Sequence, residues 1–114
     1  MGTRYDRMIE IQKEVSDIYG ALSLMGWDQE TYMPRKGAIS RGRQLATLSG
    51  LAHTRFTSDE MGAAIEGAET EALTADEEVN HLEIAWSYDR SKRLPTELVK
   101  SLAETSSQAI QVWR

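Results

Sequence analysis

Two histidines, His53 and His81, and one polar-aromatic run, Trp27-Asp28-Gln29-Glu30-Thr31, are the residues whose types could carry chemistry. Paired imidazoles serve a water-activating metal when they stand four residues apart on one helix face, with a Glu after the first acting as general base. His53 and His81 fall on different predicted helices and neither is followed by Glu, so that motif is missing rather than degraded. Both are expected on helix surface or at helix ends, in contact with water. Asp28 and Glu30 make a poor acid/base pair, because alternate residues at a helix end point apart. Serines are frequent, but no Gly-x-Ser-x-Gly elbow appears, and Gly26 and Gly37 lack the strand-turn-helix setting of a phosphate loop. Cysteine is absent, which removes thiolate nucleophiles, disulfides and Cys-based zinc sites. No residue is assigned a catalytic, cofactor-binding or metal-binding role.

Those candidates must be positioned by helices. Met8, Ile11, Val15, Ile18, Leu22 and Met25 alternate steps of three and four over a first helix, Thr3 to Met25. Ile9 and Tyr19 widen that stripe, so contacts on two sides are expected. The run Gly26 to Pro34 then reads as a helix-to-helix connection, ended by Gly26 and closed by Pro34. In it, Trp27 is expected to fill a gap between helices while Asp28, Gln29 and Thr31 hydrogen-bond the interrupted backbone. A second helix, Ala38 to Thr54, turns Leu45, Leu48, Leu51 and Ala52 inward. Thr57-x-x-Glu60 is a capping-box signature opening a third helix through Ala68, with Ala63, Ala64, Ile65 and Ala68 allowing close approach. Thr74-x-x-Glu77 repeats the signature and opens a fourth, Ala75 to Lys92, whose Val79, Leu82 and Trp86 form one face. Pro95 starts a fifth, carrying Leu98, Leu102, Thr105, Ala109 and Val112 at steps of four and three. Trp86 and Trp113 sit in apolar stripes and are expected in core or interface. No segment alternates as a strand would, so the fold class is all-α, about five antiparallel helices in one domain over residues 1–114. The fifth helix is still on pattern at the last residue, Arg114, which suggests a piece of something longer.

Composition agrees with a folded domain: 114 residues, 40% hydrophobic and 27% charged. The net charge of −5 argues against nucleic acid as a main partner. No apolar run reaches membrane-span length, and acids opposite the first helix's stripe argue against a membrane surface. The polar start and the lack of cysteine point to the cytoplasm. Charge is segregated: from Thr31 to Ser58 every charge is positive, and from Asp59 to Asp89 every charge is negative. Two oppositely charged helix faces that pair within the fold would account for this. A patch that steers a partner is the sharper reading.

The central run resembles the tryptophan-aspartate-glutamine-x-threonine-x-methionine-proline segment of the M32 metallocarboxypeptidases, here Trp27, Asp28, Gln29, Thr31, Met33 and Pro34. The likeness continues through Gly37, Ala38, Arg41, Gln44 to Ser49 and Leu51-Ala52-His53, then Arg93-Leu94-Pro95, Glu97-Leu98-Val99 and Trp113-Arg114. Arg35-Lys36 depart from it, standing where small or proline residues are common. The resemblance implies a mostly helical, cytoplasmic, dimeric enzyme that removes C-terminal amino acids with a divalent metal, zinc or cobalt. That metal is held by a His-Glu-x-x-His helix and a later Glu, all outside this chain. It further implies that this chain is the N-terminal helical region walling and covering the substrate cleft, inactive as a hydrolase alone. Trp27, Asp28 and Gln29 would then border the cleft, with Asp28 or Gln29 touching peptide or a neighbouring loop. The partners expected are the remainder of the peptidase or a second copy of the chain, as a self-associating helical module.

Overall fold

The computed structural model describes residues 3–31 and 35–113. Among them the chain is all-α: α1 (Arg4–Thr31), a 3-10 turn (Arg35–Gly37), α2 (Ala38–Phe56), α3 (Asp59–Ala68), α4 (Ala75–Lys92) and α5 (Thr96–Trp113). Helix α1 is the spine, about 42 Å long at 1.5 Å per residue. It runs six residues beyond the expected end at Met25, and Gly26 is simply one of its helical positions. Nothing in Trp27 to Thr31 opposes helix, and Thr31 Oγ1 donates back to the Trp27 carbonyl one turn earlier, at 2.7 Å. The Trp27-Asp28-Gln29 segment is thus helical, not a connection. Met33 and Pro34 lie outside the described residues.

Each start signal has a local cause. Thr74 Oγ1 accepts from the Glu77 backbone N–H while the Glu77 carboxylate accepts from the Thr74 N–H, a full capping box at the position expected. The other cap falls one residue later than expected. Ser58, not Thr57, accepts from the third residue of α3, Met61, at 3.2 Å. Thr57 instead closes α2, its backbone N–H and hydroxyl both donating to the His53 carbonyl. Opening α3 at Asp59 brings Met61 into the core and leaves Ala63 outside.

Neighbouring helices pack antiparallel. Arg4 lies over Gly67 while Arg7 meets Glu60, and Glu14 meets Arg55 while Asp28 meets Arg41, so α3 and α2 both run against α1. On the N-terminal half of α1 the buried row Tyr5, Met8, Ile11 and Val15 meets Met61, Ala64, Ile65 and Ala68 of α3, with Ala52 and Tyr88 closing the cluster. Phe56 packs edge-on against Tyr88, ring centroids 6.3 Å apart. That is the apolar core, and it occupies one end. The other end is α2 against α5, through the small residues Gly42, Ala46 and Gly50 and the polar Thr96, Lys100 and Ser107.

Several apolar stripes expected inside therefore face outward. Leu51 of α2, Val79, Leu82 and Trp86 of α4, and Leu98 and Leu102 of α5 are all exposed, as are Thr105 and Ala109. On α4 the packed face is His81, Tyr88, Ile84 and Ala85 instead. The molecule measures 53 × 25 × 21 Å with a radius of gyration of 16.7 Å. A compact chain of this length would give about 13 Å. No described helix is long and apolar enough to cross a membrane.

Two glycines of these helices should respond oppositely to alanine. A Cβ on Gly20 meets nothing within 4 Å, so Gly20→Ala should stabilise by about 0.5–1 kcal/mol through helix propensity. A Cβ on Gly62 would lie 2.5 Å from the Tyr88 hydroxyl and 3.2 Å from its ring, which is buried. Gly62→Ala should therefore destabilise by about 1–3 kcal/mol despite the better helix former. Urea unfolding midpoints of the two variants should move in opposite directions.

Candidate functional site

The polar residues of the α1 C-terminal turns converge on α2 and α5. Arg41 of α2 reaches across with one guanidinium nitrogen 2.7 Å from the Met25 carbonyl and another 2.9 Å from Asp28 Oδ2. Its Nε–H also donates to Gln44 at 3.3 Å. Gln29 is wholly buried and donates from Nε2 to the Ser107 hydroxyl at 2.5 Å and to the Ser107 carbonyl at 3.3 Å. Its Oε1 is buried without a hydrogen-bond partner. Asp28, Gln29 and Thr31 do hydrogen-bond, as expected, but between helices and along an intact one. Trp27 does not fill a gap between helices; it stands 54% exposed.

The histidines are where expectation fails. Both are buried, not solvated. His53 Nε2–H donates to the Ser91 carbonyl at 2.9 Å, and its Nδ1 meets the Thr96 hydroxyl at 3.0 Å. His81 Nε2–H donates to the Ile65 carbonyl at 2.9 Å. Ser91 and Ile65 lie in the last turns of α4 and α3, where carbonyls outnumber intrahelical donors. Each imidazole thus serves the C-terminal end of a neighbouring helix, from which the sequence signal is absent because the partner lies 38 or 16 residues away. The nitrogen that donates to the carbonyl has no lone pair to offer, whereas the other nitrogen of each ring keeps one. Among the described residues no group of three or more His, Cys, Asp or Glu side chains could hold a metal ion.

The perturbed charges belong to a surface cluster rather than a cleft. Glu60 accepts from Arg7 and from Arg55, each at 2.6 Å, and Arg55 also bonds Glu14 at 2.7 Å. Hydrogen bonds from Arg7 and then Arg55 hold the Glu60 carboxyl below its ordinary range, and Arg55 does the same for Glu14. The Arg55 guanidinium is raised by Glu14 and then Glu60. The cluster ties α1, α2 and α3 together. Arg55 and Glu60 join the basic stretch to the acidic one, whereas Arg41 pairs with Asp28 of α1.

A groove of about 310 Å³ between α1, α2 and α4 is lined in part by Gln12, Tyr19, Phe56 and Glu83. Its lining also holds the Ser87 and Ser91 hydroxyls, on the same helix as Glu83. The hydrogen bonds described above offer helix-to-helix fastening.

Comparison with known proteins supplies a different kind of observation. The family model described as Carboxypeptidase Taq (M32) metallopeptidase matches residues 7–114. Thermostable carboxypeptidase 1 of Thermus thermophilus is 34% identical over 113 residues, covering 96% of this chain and 22% of that protein. Thermostable carboxypeptidase 1 of Pyrococcus furiosus is 32% identical over 99 residues, covering 82% of this chain and 19% of that protein. The chain spans about a fifth of the length of these curated relatives. No solved structure gives a significant match.

If Gln29 fastens helices, its amide should matter as well as its volume. Gln29→Ala, which opens a cavity and removes the donor, should cost about 2–4 kcal/mol. Gln29→Met keeps the volume but leaves the buried Ser107 without its donor, so it should still cost about 1–3 kcal/mol by urea unfolding. The ion cluster should show in acid. Folded-state carboxyl pKa values below the unfolded value of about 4.3 give stability that is present above that pH and is lost as pH falls through the folded values. Glu60→Gln should lower the melting temperature at pH 7, and the gap from the parent should close as the pH is taken well below 4.3.

Proposed function

The chain belongs to the M32 metallopeptidase family, and from that premise we propose that it is the N-terminal, cleft-covering helical scaffold of a zinc-dependent metallocarboxypeptidase. The whole enzyme would remove C-terminal amino acids from peptides. The observation that supports the scaffold role is the separation of the two imidazoles, which lie on α2 and α4 and bind carbonyls of α4 and α3. Activated water is indispensable to this hydrolysis, and these two rings stand on different helices rather than four residues apart on one helix face. The divalent ion, zinc or cobalt, would be held by protein outside the matched segment. Relatives named as carboxypeptidases and about five times as long leave ample chain for that site. The complete protein would be a cytoplasmic dimer.

A second reading, a helical module that pairs with a second copy of itself, draws on the exposed apolar residues of α4 and α5. The two readings meet the same assay differently. Under the scaffold reading, the purified chain supplied with Zn²⁺ or Co²⁺ should release no amino acid from an N-blocked dipeptide. Light scattering should also show it monomeric across a wide concentration range. Metal-dependent turnover that co-purifies with the chain would refute the scaffold role. A stable dimer at low concentration would favour the self-pairing module.

A further inference from the structure

Helix α5 turns a mixed face inward, with Thr96, Val99, Lys100, Ala103, Ser107 and Ile110 among its less exposed positions, while its leucines lie outside. At 3.6 residues per turn, Thr96, Lys100 and Ser107 fall in one narrow arc, and this is the arc that meets Gly42, Gly50 and His53 of α2. Leu98, Leu102, Thr105 and Ala109 lie about 180° away, with Leu94 extending the row ahead of the helix. The outward strip carries no charge in a chain that is 27% charged, and Leu102 is 56% exposed. The outward stripe of α4 is different, since Arg90 covers the Trp86 ring at 4.5 Å and Glu83 and Asp89 flank it. An uncharged row at i, i+4 and i+8 forms the ridge that a second helix accepts between its own side chains.

We infer that the outward row Leu94, Leu98 and Leu102 of α5 is the seat of an α-helix from the remaining part of the peptidase polypeptide. The inference rests on the family reading above and names the surface through which the scaffold is joined. Size favours this occupant over a second copy. An 18-residue helix is about 27 Å long, and a stripe ~10 Å wide on it presents a few hundred Å². Stable association of separate chains takes about 800 Å² from each partner. A helix of the same polypeptide does not lose the translational freedom that separate partners lose, so the smaller area suffices. The relatives carry about four fifths of their length outside the matched segment, from which such a helix can come. The radius of gyration, above that of a compact chain, agrees with a layer missing from one side.

The test is a hybrid in which this segment replaces its matching 113 residues in the Thermus thermophilus carboxypeptidase, assayed on an N-blocked dipeptide. The unsubstituted hybrid should hydrolyse it. Leu98→Lys with Leu102→Lys should lower that rate at least tenfold, while Glu97→Lys, off the row, should leave it within twofold. In the isolated chain the same double substitution should leave helical content and melting temperature unchanged, because there the row is open. An inactive unsubstituted hybrid would overturn the scaffold reading and this inference with it. An active hybrid that tolerates both lysines would overturn the seat alone. Self-association of the isolated chain that the lysines abolish would give the row to a second copy and overturn the proposed occupant.

Discussion

The rotation of α5 about its own axis decides what this chain shows to its surroundings, and two buried hydrogen-bonding side chains set it. At its start, His53 of α2 holds the Thr96 hydroxyl with one ring nitrogen and the Ser91 carbonyl of α4 with the other. Near its far end, Gln29 of α1 holds Ser107 by both hydroxyl and carbonyl. Between these points α2 offers Gly42, Ala46 and Gly50, so the backbones approach closely and large side chains have no room. A buried donor or acceptor left without a partner costs more than a leucine left in water gains by burial in a poor fit. With the polar arc held inward, the leucines have only the outside. The open leucine row follows from that orientation.

Helix existence was legible in the sequence for local reasons. Thr74 and Glu77 sit three apart, and their two reciprocal bonds depend on nothing beyond one turn. The first-helix row Met8, Ile11 and Val15 is buried as its spacing implies. Face assignment was not legible for α4 and α5. Periodicity identifies an apolar stripe but is silent on whether a partner is present to cover it. Val79, Leu82 and Trp86 have the spacing of a core face and lie in the open because α4 packs through His81, Ile84, Ala85 and Tyr88 instead. The burial of His53 and His81 was hidden for another reason. Their acceptors are carbonyls at the ends of other helices, and a carbonyl leaves no mark on composition.

The polar run of α1 illustrates the same point within the candidate site. Bulky and polar residues in succession suggested an interruption, since short polar side chains compete for the backbone. In the fold they compete outward instead, Asp28 with Arg41 and Gln29 with Ser107, while Thr31 bonds backward along the helix and leaves it intact. What reads locally as a break is a row of attachments to two other helices. Residue type was informative about hydrogen bonding and misleading about where the bonds go.

Core and fastening are therefore divided along the length of α1. Its first half contributes apolar burial, largely independent of pH, together with an exposed ion cluster that acid removes. Its second half contributes specific polar links and little apolar area. An assembly of that kind holds its helices in register without sealing them from water, which suits a layer that is sealed from the far side. Burying the leucine row beneath another helix would add apolar burial at the end where α1, α2 and α5 have least of it. The surface that is weakest in isolation is then the one that joining the rest of a peptidase would strengthen most.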